Sequence, residues 1–181
     1  MIGNKEKQVG EKDKFSLWLK PEGEIYDILK RIIDSLADAH DAPRFEPHVT
    51  IAGTDMDPGD MQTMQNLLSQ IASDCEPMTL YLKGTDFRES FFRSLFIHIA
   101  PNDALFALRN KCLGLLNQEH TPFMPHISLM YKEMDQEIKC QILEQVGKRF
   151  DLAFIPDKIH LVRTTGQPES WKEVMHVPLK F

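Results

Sequence analysis

The hydrophobic positions of the chain fall into two patterns, short apolar runs and longer stretches with helical spacing. Short runs flanked by turn residues predict strands, whereas apolar residues three and four positions apart predict amphipathic helices. The predicted strands cover residues 15–20, 45–52, 78–87, 92–100, 123–131, 158–165 and 173–179. The predicted helices cover residues 24–39, 58–73, 103–117 and 135–150, and the last of them is expected to bury Ile138, Ile142 and Val146.

The same pattern occurs twice. The segment FEPHVTI at residues 45–51 recurs as FMPHISL at residues 123–129, 78 positions later. At the same offset, SLWL at residues 16–19 matches SLFI at residues 94–97, and each match is followed by a proline and a helical pattern. An internal repeat has to be recognised before a fold is assigned. We therefore predict two copies of strand, helix and strand, related by a pseudo-twofold axis.

These elements predict an α+β fold that is bilobal. In this interpretation each half consists of strands backed by two helices, and two antiparallel sheets face each other across a central cleft with the helices outside. No low-complexity linker separates the halves, so residues 15–181 are expected to form a single domain. The polar segment at residues 1–14 is predicted to be a flexible tail.

Composition narrows the partners that the protein can have. The net charge of −6 argues against a broad surface for duplex nucleic acid, although a positive pocket for a small anion remains compatible with it. No apolar run reaches membrane-spanning length. The cysteines, Cys75, Cys112 and Cys140, have no CxxC spacing, which favours reduced thiols in a cytoplasmic protein. We expect a monomer.

The candidate chemistry lies on the two repeated strands. Because side chains alternate faces along a strand, His48 points the same way as Thr50, and His126 the same way as Ser128. Two imidazoles can share proton transfer, and two hydroxyls can hold an oxyanion between them. Trp18 and Phe96, on the neighbouring strands, are expected to form the walls of this cleft and to bind a flat base.

Metal binding is the competing interpretation of these histidines. The chain contains seven histidines, but none lies in an HExxH motif or in a compact set of His, Cys and carboxylate ligands. We therefore predict no metal and no other cofactor.

The paired His-x-Thr/Ser strands in a duplicated α+β chain resemble the 2H phosphoesterase superfamily. The runs PHVTIAG at residues 47–53 and PHISLMY at residues 125–131 are similar to those of the plant and yeast cyclic phosphodiesterases, and so is the first strand with Trp18. The resemblance implies that His48 and His126 are catalytic and that Thr50 and Ser128 hold the phosphate oxygens. It also implies a pocket role in substrate binding for Tyr131.

The resemblance further implies a metal-independent reaction on a small-molecule cyclic phosphate. Such enzymes open 2',3'-cyclic nucleotides to nucleoside 2'-phosphates, and ADP-ribose 1'',2''-cyclic phosphate to ADP-ribose 1''-phosphate. Two alternatives stay open from the sequence. One is an RNA-end enzyme acting on terminal cyclic phosphates or 2'-5' linkages, and the other is a binder of nucleotides without catalysis. The sequence does not decide which histidine is base and which is acid.

Overall fold

The computed structural model describes residues 12–180, and these residues form two antiparallel sheets with helices around them. The strands are β1 (Asp13–Leu19), β2 (Val49–Met56), β3 (Leu80–Phe87), β4 (Leu95–Ile99), β5 (His126–Met130), β6 (Ala153–Phe154), β7 (Lys158–Arg163) and β8 (Lys172–Pro178). The helices are α1 (Gly23–His40), α2 (Met61–Ala72), α3 (Asp103–Leu115) and α4 (Gln136–Val146). All the predicted helices and strands are present with shifted ends, and among the described residues β6 is a strand that was not predicted.

The first strand begins earlier than the sequence indicated. β1 starts at Asp13, whose carboxylate lies 2.8 Å from Nε of Arg163, and the backbone amide of Lys14 donates to Oγ1 of Thr165 at 2.8 Å. These contacts make residues 13 and 14 part of the sheet, so the structure corrects the predicted tail boundary. The rest of the predicted tail, up to residue 11, lies outside the described residues.

The two sheets exchange strands between the halves of the chain. The first sheet has the order β2-β1-β7-β8, and the second sheet has the order β5-β4-β3-β6. Strands β7 and β8 follow the second repeat but complete the first sheet, and β3 follows α2 but belongs to the second sheet. The predicted pair of facing antiparallel sheets is confirmed, and each sheet contains strands from both halves of the chain. Strand periodicity indicates which face is buried and does not indicate the pairing partner.

The duplication is visible in the strand register. Trp18 lies opposite Thr50, and at the same offset Phe96 lies opposite Ser128. The pairing then skips one residue of the His-bearing strand, Ile51 in β2 and its counterpart in β5. A β-bulge of this kind bends the strand and increases its twist. Both repeats therefore have the same local distortion next to the candidate residues.

The apolar faces of the strands lie beneath the helices, as the alternation predicts. Leu17, Leu19, Val49, Ile51, Leu95 and Ile97 are fully buried. They pack in one hydrophobic core with Leu29 and Ile33 of α1 and with Leu105 of α3. Helix α3 contacts β2, and α1 contacts β5, so each of these helices reaches the His strand of the other sheet.

Helix α4 is rotated relative to the prediction. Ile138, expected to be inward, is 40% exposed, and Lys139 is buried in its place. The ammonium group of Lys139 donates to the backbone carbonyl of Arg88 at 2.9 Å. A lysine can occupy such a position because its methylene stem packs like an apolar side chain while its charged end finds an acceptor.

Candidate active site

A cleft of about 550 Å³ lies between the two sheets, and it brings most of the predicted site residues together. The predicted residues that line it are His48, Thr50, His126, Ser128, Tyr131 and Trp18. It is also lined by Lys14, Ser16, Phe92, Arg93, Thr164, Thr165, Gly166 and Trp171. The fold therefore places both His-x-Thr/Ser motifs around one volume.

Both histidines are oriented by the same hydrogen bond. Nδ1 of His48 lies 2.6 Å from the carbonyl oxygen of Glu46, and Nδ1 of His126 lies 2.8 Å from the carbonyl oxygen of Met124. A carbonyl oxygen only accepts, so Nδ1 is the protonated nitrogen of each ring. The neutral rings consequently keep a lone pair on Nε2. This tautomer is the one required for a base acting through Nε2.

Burial favours the neutral form of both rings in the free protein. Loss of solvent lowers the pKa of His48 to about 3, an effect that the Glu46 carbonyl opposes and that His126 and Lys20 reinforce. The pKa of His126 is also lowered, again mainly by burial and further by the charge of Arg93. A bound phosphoryl anion would raise both pKa values, because negative charge favours the imidazolium form.

The two predicted aromatic residues support the histidines from behind. The Trp18 ring stacks on the His48 ring with 3.5 Å between centroids and 9° between planes. The Phe96 ring meets His126 edge-on, with 5.2 Å between centroids and 63° between planes. Phe96 is fully buried and does not line the cleft, which corrects its predicted contact with a base. Trp18 lines the cleft but is only 3% exposed.

The hydroxyl-bearing residues differ in their surroundings. Thr50 is exposed within the cleft, whereas Ser128 is buried and its Oγ donates to the Phe92 carbonyl at 3.4 Å. Tyr131 is also buried, with its ring stacked on Phe45 at 4.0 Å between centroids. Burial raises the pKa of the Tyr131 phenol above its usual range, so this group stays protonated and can donate a hydrogen bond.

The sequence did not identify Phe92 and Trp171 as residues of the cleft. Phe92 and Trp171 stand at the cleft with ring centroids 6.2 Å apart and planes 24° from parallel. Arg93 supplies positive charge beside His126, and Lys14 lies further along β1. Phe92 and Trp171 lie outside the strands, so strand alternation could not assign them to the cleft. Among the described residues, no helix is both long and apolar enough to cross a membrane.

Two histidines, each followed by a hydroxyl two residues later, in one cleft of a duplicated α+β fold, are the arrangement of a 2H phosphoesterase. The sequence profile of the 2'-5' RNA ligase superfamily matches residues 12–168. The chain therefore belongs to the 2'-5' RNA ligase superfamily of 2H phosphoesterases.

Individual relatives agree with this assignment. The chain is 26% identical over 174 residues to a cyclic phosphodiesterase from Arabidopsis thaliana, with 90% of this chain and 93% of that protein covered. The fold is similar to that of E. coli LigT in its apo form, with a TM-score of 0.69 at 14% identity, covering 95% of this chain and all of LigT. LigT complexed with 3'-AMP gives a TM-score of 0.66, also at 14% identity and with the same coverage.

Proposed function

We propose that this protein is a metal-independent cyclic phosphodiesterase that uses two histidines as general acid and base. Its proposed substrates are small cyclic phosphodiesters, namely 2',3'-cyclic nucleotides opened to nucleoside 2'-phosphates and ADP-ribose 1'',2''-cyclic phosphate opened to ADP-ribose 1''-phosphate. The observation that carries the proposal is the pair of Nδ1-anchored imidazoles in one cleft with two hydroxyls. The name of the plant relative supports the same reaction class.

In the proposed step, Nε2 of one histidine accepts a proton from water while the water oxygen attacks phosphorus in line. For a 2',3'-cyclic nucleotide, the bond from phosphorus to O3' breaks, and the second histidine donates a proton to O3'. The product is then the 2'-phosphate. The base leaves the step protonated and the acid leaves it neutral, so proton exchange with solvent restores both rings.

We assign His48 as the base and His126 as the acid. His48 is the more deeply buried ring, covered on one face by Trp18, and its pKa near 3 keeps it unprotonated. His126 is partly exposed and takes up a proton more readily when an anionic phosphoryl group is beside it. In both halves, the hydrogen bond from Nδ1 to a backbone carbonyl leaves Nε2 as the nitrogen available to the base and to the acid.

The hydroxyls are proposed to stabilise the charge that develops on phosphorus. Thr50 and Ser128 would donate to the non-bridging oxygens, and the Arg93 guanidinium would add positive potential. Donors fixed in place before reaction are usually the largest electrostatic contribution to such a transition state.

Hydrolysis of 2',3'-cyclic AMP in the presence of EDTA tests this proposal. We expect turnover to the 2'-phosphate, identified by chromatography, and loss of turnover in His48→Gln and His126→Gln. The control is His120→Ala, because His120 is exposed and its Nδ1 lies 3.1 Å from Oδ1 of Asn110, not in the cleft. Parallel reactions with ADP-ribose 1'',2''-cyclic phosphate rank the two substrates. Turnover retained in either glutamine variant would contradict the two-histidine mechanism.

A second candidate function is action on RNA ends. Lys14 lies in the same cleft, four residues from Trp18 along β1, which corresponds to about 13 Å at about 3.3 Å per residue. A cation at that distance could contact a phosphate further along a chain. This alternative predicts that oligonucleotides with a 2',3'-cyclic phosphate end outcompete 2',3'-cyclic AMP, and that Lys14→Gln removes the preference. Equal kcat/KM for both substrates would rule it out.

A further inference from the structure

A second cluster of chemically active side chains lies outside the cleft, on β7 and β8. It consists of His160, Glu173 and His176, whose ligand atoms all lie within 4.8 Å of one another. Oε2 of Glu173 is 2.9 Å from Nδ1 of His160, and its Oε1 is 2.8 Å from Nδ1 of His176. None of the three residues lines the catalytic cleft. From this geometry we propose that the cluster binds a divalent transition metal ion such as Zn²⁺.

The strand register explains how the three side chains meet. His160 on β7 lies opposite His176 on β8, so these two rings share one face of the first sheet. Glu173 is three residues before His176, and in a regular strand an odd spacing would place it on the opposite face. The pairing skips Val174 between Val162 and Leu161, which is a β-bulge. The extra residue returns Glu173 to the histidine face.

The bulge is the second observation that points to a site. Bulges commonly re-aim a side chain, and this one adds a carboxylate to two imidazoles. Without the bulge the sheet would have a cross-strand pair of histidines and no third ligand. The sequence predicted no metal site because Glu173 and His176 are separated from His160 along the chain, and strand periodicity alone places Glu173 on the wrong face.

The donor set indicates which metals fit. Two imidazole nitrogens and one carboxylate oxygen suit Zn²⁺ and Co²⁺, and they leave a further position for water. Mg²⁺ and Ca²⁺ need more oxygen ligands than these residues provide. The distances of 2.9 and 2.8 Å from the two Nδ1 atoms to the Glu173 carboxylate are those of hydrogen bonds. A metal ion would replace the protons in these hydrogen bonds and move the ligands slightly apart.

Lys20 is the group that opposes binding. Its ammonium nitrogen lies 3.3 Å from Oε2 of Glu173, where it neutralises the carboxylate that the metal would use. The same nitrogen is 3.9 Å from Oε2 of Glu46, which offers it another partner. A metal ion on Glu173 therefore displaces Lys20 toward Glu46, and Lys20→Gln is expected to tighten metal binding.

Bound metal would fix the hairpin between β7 and β8. The connection between these strands carries Thr164, Thr165, Gly166 and Trp171, all of which line the catalytic cleft. A metal that ties His160 to Glu173 and His176 would hold together the two strands that flank this connection. Binding does not depend on the proposed hydrolysis, so the two proposals can fail separately.

Isothermal titration of the full chain with ZnCl₂, together with the visible absorption of the Co²⁺ form, tests the site. We expect one ion per chain, no competition by excess Mg²⁺, and a Kd raised at least about 10-fold in both His176→Ala and Glu173→Gln. His176 is half exposed, so its replacement carries little risk to folding, and Glu173→Gln provides a second variant with the same side-chain shape. His120→Ala is the matched control and should leave the Kd unchanged.

Three results would contradict the proposed metal site. Absence of binding to a protein that is folded by circular dichroism would overturn the proposal. Binding that survives in both His176→Ala and Glu173→Gln would also overturn it. Binding that disappears in His48→Ala and persists in those two variants would place the ion in the catalytic cleft instead.

Discussion

The two histidine sites share their backbone geometry and differ in their surroundings. Each ring donates from Nδ1 to a carbonyl two residues upstream, and each strand has the same bulge beyond its hydroxyl residue. His48, however, is buried under a parallel Trp18 ring, whereas His126 is partly exposed and meets only the edge of Phe96. The shared hydrogen bond and bulge set the position of Nε2 in each ring. The different burial and aromatic contacts set how easily each ring takes up a proton.

Under the proposed mechanism, this difference would let a symmetric fold support an asymmetric reaction. Hydrolysis needs one unprotonated and one protonated imidazole at the same pH. Identical surroundings would give both rings the same pKa, and mutual repulsion would then be the only source of asymmetry. Because His48 is more deeply buried than His126, the two rings differ in pKa although their positions are equivalent.

Loss of either histidine should have the largest effect. We expect His48→Ala and His126→Ala each to lower kcat/KM for 2',3'-cyclic AMP by up to about 10⁴-fold. Because the two rings are proposed to act in one step, the double variant should be little worse than either single variant. Steady-state kinetics on all three proteins measures this. Additive losses in the double variant would show that the histidines act in separate steps.

Removing one hydroxyl should have the next largest effect. Thr50→Val is expected to lower kcat by about 10²-fold, since it removes one donor to a phosphoryl oxygen, and Ser128→Ala is expected to lower kcat by less. Thr50→Ser keeps the hydroxyl and serves as the control. The loss is expected to be smaller for Ser128→Ala because the Ser128 hydroxyl already donates to the Phe92 carbonyl and must rotate to reach the substrate. A larger loss from Ser128→Ala than from Thr50→Val would contradict this ordering.

Replacing the aromatic residues behind the histidines should have a smaller effect on kcat. Trp18→Leu removes a ring stacked face to face on His48 and is expected to lower kcat by about 10-fold through misplacement of the base. Phe96→Leu removes only an edge contact to His126 and should lower kcat less. Trp18→Phe retains a flat ring and is the control. Thermal unfolding of each variant distinguishes a loss of catalysis from a loss of folded protein.

The smallest predicted effect is a shift in pH dependence. The kcat/KM of the free enzyme should fall as pH rises through the pKa of His126, which burial and Arg93 hold below the ordinary value of 6.5. Arg93→Gln removes a positive charge, so the pKa of His126 should rise and the alkaline limb should move to higher pH by less than about one unit. Lys20→Gln should leave that limb in place, because Lys20 acts on His48. If Lys20→Gln moved the alkaline limb and Arg93→Gln did not, His48 would be the acid and His126 the base.

The sequence predicted which side chains meet in the cleft better than it predicted how the strands pair. His48 and Thr50, and likewise His126 and Ser128, are two positions apart, and that even spacing places each pair on one face of a strand. The repeat then required both pairs to lie in equivalent places. Trp171 could not be predicted in this way, because it follows a turn, and neither periodicity nor the repeat applies to it.

Other differences arise from interactions that no local pattern records. The exposure of Ile138 reflects how α4 rotates to bury Lys139 against the Arg88 carbonyl, which is a tertiary contact. The pairing of β7 with β1 joins segments that are far apart in the chain. Phe96 was correctly placed on the site face but lies behind His126, because facing the cleft does not by itself give access to it.

The exchange of strands between the two sheets has a consequence for synthesis of the protein. β1 cannot complete its pairing until β7, about 140 residues later, has been synthesised. Synthesis of this stretch takes roughly 7–28 s at the usual rates of translation. During that interval one edge of β1 has unpaired amide and carbonyl groups, and exposed edges of this kind recruit other strands. We expect the emerging chain to depend on dilution or on chaperones until the hairpin of β7 and β8 has left the ribosome.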